Sequence, residues 1–181
     1  MKYFSANQEL INKRTKLGHS PLWAASYNGH FEVVKFLVEN AGANIHISSL
    51  KHTTPMVISC QQGNLEIVKY LRNKDYKLSE LIHNLTSYDN DGARCLYMAC
   101  LNSHLDIVKY ILSIFPTLID TKNQFGQSPL WLASHSGSLE IVEHLIDKGA
   151  EIDSNFQKFE NVVKSESPLI PSCKGILSYL Q

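Results

Sequence analysis

Apolar residues along the chain fall into short runs at helical spacing, and the runs come in pairs. "PLWAAS" from Pro21 is followed, past a glycine, by "HFEVVKFLV", and "PLWLAS" from Pro129 by "SLEIVEHLI". Between them, "PMVISC" precedes "NLEIVKYL" and "CLYMAC" precedes "HLDIVKYIL". In each second run the apolar positions recur at i, i+3 and i+4, which predicts an amphipathic helix. Each first run carries small residues on one side, which predicts a short helix that packs closely on a neighbour. "GAN" or "GAE" then turns the chain into an extended stretch toward the next pair.

The repeat can be measured from its proline. Pro21, Pro55 and Pro129 mark three copies and Cys95 holds the same slot in a fourth, giving steps of 34, 40 and 34 residues. Five positions on stand the small residues Ser26, Cys60, Cys100 and Ser134. Eight positions on stand Gly29, Gly63, Ser103 and Gly137. Proline suits the first turn of a helix, where its missing N–H costs nothing. Ser20, Thr54 and Ser128 precede it as expected N-caps. Glycine closes the first helix because it tolerates the left-handed conformation there. Cys95 is expected to start a helix as the prolines do.

The phrase G-x-[ST]-P-L-x-x-A-x-x-x-G-[HN]-x-[ED]-[IV]-V-x-x-L, running from about Lys16 to Asp153, resembles the ankyrin repeat. The resemblance implies an all-α fold, a right-handed solenoid of stacked helix-turn-helix units with hairpin loops. It divides the chain into an N-terminal cap or partial repeat (1–14), four repeats (about 15–47, 48–87, 88–121 and 122–153), and a connector with a degenerate capping repeat (154–181). The capping unit restarts the phrase at Ser167; the alternative is that the chain is a piece of a longer array, or a truncated gene product. The histidine usual after the repeat's leucine is replaced by Trp23, Val57, Tyr97 and Trp131, so packing is expected to take over part of its hydrogen bonding. Both tryptophans are read as core. Repeat two is extended through "RNKDYKLSELIHNLTSYDNDG", either a tolerated surface insertion or a functional bulge.

Ankyrin arrays bind other proteins on a concave side made of hairpin tips and first-helix edges. Carried over position by position, the tips are Lys16, Leu17 and His19, then Leu50, Lys51 and Thr53, then Asn90, Asp91 and Ala93, then Gln124, Phe125 and Gln127. The helix edges are Tyr27 and Asn28, Gln61 and Gln62, Leu101 and Asn102, and His135 and Ser136. Leu17, Tyr27, Leu50, Leu101 and Phe125 are apolar or aromatic at positions expected to be open, as interface anchors are. A second resemblance, carried by Pro21–Leu71 in phrase and loop length, is to the ankyrin region of Fem-1-like substrate receptors of cullin–RING ubiquitin ligases.

Composition narrows the function further. With 17 Lys and Arg against 17 Asp and Glu the chain is formally neutral, which disfavours a nucleic-acid or membrane partner. Four unevenly placed cysteines do not form a secreted disulfide framework, and "MKYFSANQELINKR" lacks a signal's apolar core, so the cytosol or nucleus is expected. Cys60 and Cys100 share a slot with serines and read as packing residues. Cys95 at a helix start could be activated, yet no histidine is placed beside it as a base. Cys95, Cys100 and His104 lack the paired spacing of a zinc site. The chain is therefore read as a monomeric interaction module without cofactor or metal, not an enzyme.

Overall fold

The computed structural model describes residues 10–74 and 91–152. The first residues of the N-terminal segment, the insertion after repeat two with Asn90, and the expected C-terminal connector and capping repeat lie outside them. The chain divides into two compact units between Cys95 and Leu96. The described residues form α-helices, one 3-10 turn and no strand.

The first unit holds two helix pairs, α1 (Pro21–Tyr27) with α2 (Phe31–Glu39) and α3 (Pro55–Gln62) with α4 (Leu65–Lys74). Helix α5 (Asp91–Leu101) runs across the division. The second unit continues with α6 (Leu105–Ile114), a 3-10 turn (Pro116–Leu118), α7 (Pro129–Ser136) and α8 (Leu139–Asp147). Inside the first unit α1 packs on α3 and α2 on α4. Inside the second, α8 packs on α7 and on α6.

The caps form as the phrase dictates. The hydroxyls of Ser20, Thr54 and Ser128 accept from the backbone N–H of Trp23, Val57 and Trp131 at 3.1, 3.3 and 3.2 Å. Each such cap contributes about 1 kcal/mol. Gly29, Gly63 and Gly137 take φ of 73°, 79° and 75° after the first helices, and Ser103 is held at 64° in the same slot. Buried behind them lies one apolar ladder per unit. Leu22, Val34, Val57, Ile67 and Leu71 fill the first, and Leu96, Ile107, Val108, Leu130, Ile141 and Leu145 the second. Full burial of such a side chain is worth about 1.5–3 kcal/mol.

Polar ties lock successive pairs. Asn64 Nδ2 donates to the Ser26 carbonyl at 2.8 Å, and its side chain lies close against Gly29, where a Cβ would come 2.8 Å from Asn64 Oδ1. In the second unit Ser136 Oγ donates to the Cys100 carbonyl, the matching position, at 3.0 Å. The Ser26 hydroxyl itself is buried and has no hydrogen-bond partner. Ser26→Ala removes that unpaired group and leaves the carbonyl tie, so urea unfolding should show a gain of about 1 kcal/mol.

One expectation changes. Cys95 does not begin its helix: α5 already includes Asp91, one turn earlier. A proline bars the preceding residue from the helical region. Cys95 imposes no such bar on Arg94, so the helix runs on backward through Arg94 and Ala93. Asp91 and Ala93 therefore belong to a helix rather than a hairpin tip, and Ala93 is buried. An indole supplies part of the hydrogen bonding that the missing histidine would make. Trp23 Nε1 donates to Thr53 Oγ1 at 3.1 Å, and that oxygen lies 2.6 Å from Ser49 Oγ. The indole N–H thus reaches into the next repeat's hairpin.

Candidate functional site

Three equivalent hairpins span residues 15–19, 49–53 and 123–127. In each, the first residue donates its N–H to the carbonyl of the fifth: Thr15 to His19, Ser49 to Thr53 and Asn123 to Gln127, all at 3.0 Å. A left-handed fourth residue, Gly18, His52 or Gly126, reverses the chain. The first side chain then braces the loop. Ser49 Oγ accepts from Lys51 N–H and Thr53 N–H, and Asn123 Oδ1 from Phe125 N–H and Gln127 N–H. Polar bracing inside leaves the tip residues outside: Leu17, Leu50 and Phe125 are 64%, 65% and 74% exposed.

The first two tips are joined. Leu50 N–H donates to the Leu17 carbonyl at 3.1 Å, so the exposed leucines and their neighbours Lys16 and Lys51, also exposed, sit on adjacent tips. Arg94 adds a cation from α5: its guanidinium donates to the His52 carbonyl and, at 3.4 Å, to that of Lys51. Asp91 accepts from the Thr54 hydroxyl at 3.0 Å.

Beside the first tip stands an aromatic stack. His19 lies on Trp23 with centroids 3.7 Å apart and planes parallel, and Trp23 lies on Tyr27 at 5.4 Å. Trp23 is buried, His19 half-buried and Tyr27 43% exposed, so the stack runs from the hairpin to the end of α1 and opens at Tyr27. The spacing recurs in the second unit, where half-buried Trp131 stacks on exposed His135 at 5.0 Å. A hairpin or helix residue four before an aromatic and one four after it lie on one helix face. That spacing is the signal by which the stack could have been found.

The remaining candidates divide. Leu101 is 39% exposed and Gln62 is exposed, while Gln61 and Ser136 are half-buried. Asn28 and Asn102 are exposed, but each turns its amide N–H onto the carbonyl four residues back, Ala24 at 2.9 Å and Met98 at 2.8 Å, finishing its own helix. Gln127 is half-buried and accepts from Asn123 Nδ2 at 2.8 Å within its hairpin. Arg94 was not among the candidates. It stands where Ser20, Thr54 and Ser128 cap the other copies, and that departure was its only mark in the sequence.

The thiols are placed for packing. Cys60, Cys95 and Cys100 are buried. Burial first, and then contact with Cys60, pushes the Cys95 thiol well above its usual range; burial alone raises Cys100. Among the described residues no three His, Cys, Asp or Glu side chains are grouped to hold a metal, and no helix is long and apolar enough to cross a membrane. On the outer side Glu39 pairs with Lys74 at 3.1 Å. Tyr70, pushed up to about 12 by burial and then by the Glu39 carboxylate, meets Phe31 edge-on at 5.6 Å.

The family of ankyrin repeats, described as three copies, matches residues 1–80 and again 72–156. The chain is 29% identical to the probable 26S proteasome regulatory subunit p28 of Saccharomyces cerevisiae over 78% of its own length and 64% of that relative's. It is 30% identical to ankyrin repeat and SAM domain-containing protein 6 of Danio rerio, over 77% of the chain and 18% of the relative. It is 27% identical to the NAD-dependent deacetylase sir2B of Dictyostelium discoideum, over 94% of the chain and 22% of the relative. The chain thus spans just under two thirds of p28 and about a fifth of the other two. With its measured repeat, capped helix pairs and equivalent hairpins, the chain belongs to the ankyrin-repeat family, an all-α solenoid of protein-interaction repeats.

Proposed function

We propose that the hairpin tips and first-helix edges grip a segment of another polypeptide, on the side that is concave in ankyrin arrays. The observation that carries this reading is the exposure of a large apolar residue at every described hairpin tip: Leu17, Leu50 and Phe125. Stacking does not require them, and water is a poor environment for them. Tyr27 and Leu101 extend the same chemistry along the first helices. Apolar anchors set among polar neighbours are what protein interfaces use.

The outer helices offer a weaker rival. Val33 and Phe36 are also exposed on α2, but Ile67, Ile107 and Ile141 hold the slot of Val33 in the other copies and are buried. The exposed pair on α2 is therefore confined to the first described repeat. Affinity capture with quantitative mass spectrometry separates the two. Proteins retained by the wild type should drop at least about tenfold with Leu17→Ser/Leu50→Ser/Phe125→Ser, a loss of about 1.4 kcal/mol. They should persist with Val33→Ser/Phe36→Ser. The reverse pattern would refute the tip surface.

A further inference from the structure

We propose that the hairpin side of the first unit selects an acidic polypeptide segment, one whose carboxylates flank an apolar anchor; this deepens, and rests on, the function proposed above. Formal neutrality hides a separation of charge along the chain. Up to Cys95 the sequence carries eleven Lys and Arg against eight Asp and Glu, whereas from Leu96 it carries six against nine. Within the first unit the second helices carry both signs, Glu32, Glu39 and Glu66 beside Lys35, Lys69, Arg72 and Lys74, with Glu39 paired to Lys74. Lys16 and Lys51 lie in the first two hairpins, Lys13 and Arg14 just before the first, and Arg94 reaches the second, with Asp91 the one described carboxylate in these segments.

The cations surround the apolar tips. Lys16 adjoins Leu17 and Lys51 adjoins Leu50, on tips joined by the Leu50–Leu17 backbone bond. Arg94 hydrogen-bonds the carbonyls of His52 and Lys51, bringing its charge to the same tip. Like charges on joined tips repel one another, and an incoming carboxylate relieves the repulsion while apolar contact supplies affinity. Such a rim steers encounter and sets specificity.

A nucleic-acid strand has the matching charge but not the matching contacts. Its backbone gains nothing from two exposed leucines. Base stacking needs free ring faces, and in the His19–Trp23–Tyr27 stack the faces already cover one another up to the outer face of Tyr27.

A random peptide library displayed on phage, selected on the full chain, tests this. Wild-type selection should enrich Asp and Glu around an aliphatic or aromatic residue, and the synthetic form of the leading peptide should bind more weakly as salt is raised. Lys16→Glu/Lys51→Glu, at exposed positions, should weaken that peptide at least about tenfold. Selected peptides that are neutral or basic, or an acidic peptide bound equally after charge reversal, would overturn the proposal. So would an oligothymidine strand that binds more tightly than the leading peptide. If Leu17→Ser/Leu50→Ser abolishes binding while charge reversal does not, the acidic preference falls and the tip surface stands. If charge reversal abolishes it while the leucine variant binds normally, the apolar anchor falls and the acidic preference at the tips stands.

Discussion

Gly18→Ala should lower the unfolding free energy by about 2 kcal/mol, read from urea denaturation. Gly18 has φ of +81°, and a Cβ there would lie 2.6 Å from the backbone nitrogen of Leu50 and 3.0 Å from the Ser49 carbonyl carbon. The left-handed conformation costs an L-residue about 1–2 kcal/mol. The clash is with backbone, so relief requires the two hairpins to part, which sacrifices the Leu50–Leu17 hydrogen bond, worth about 1 kcal/mol. The reduced freedom of the unfolded chain offsets about 0.5 kcal/mol of this. His52 occupies the same repeat position with φ of 55° and an exposed side chain. There His52→Gly should be neutral or stabilise by under about 1 kcal/mol, because the relief of backbone strain is partly offset by the greater freedom of the unfolded chain. The opposite signs at one repeat position report that the first and second hairpins are in contact.

Leu71→Ala should cost more, about 2–5 kcal/mol, the range for emptying a close-packed leucine site. Leu71 is 1% exposed on α4, a helix packed against both α2 and α3. A repeat array couples mainly nearest neighbours. The loss should therefore appear first in the first unit, as faster amide exchange in α1 to α4 with less change in α7 and α8. A uniform rise through all helices would mean that the chain unfolds as one block.

Much of this was legible because the information is local. A proline after serine or threonine fixes a helix start with its cap, and Pro21, Pro55 and Pro129 each open one. A glycine eight residues later fixes the end. The five apolar side chains expected at open positions, Leu17, Tyr27, Leu50, Leu101 and Phe125, are all exposed, because repeat position alone tells which side of the helix pair they occupy. What escaped is non-local. The early start of α5 comes from a missing constraint at Cys95, not from a signal. The Arg94 contact spans 42 residues and the Trp23–Thr53 bond 30, distances over which no periodicity speaks. The charge separation was lost in a total of zero, since a sum over the chain discards where each sign lies.

Hydrogen exchange of the full chain with and without its leading selected peptide tests the central claim most directly. The account predicts slowed exchange at Leu17–His19 and Leu50–Thr53 on binding, with α2 and α4 unchanged. Protection along α2 and α4, with those hairpin amides exchanging as before, would contradict it.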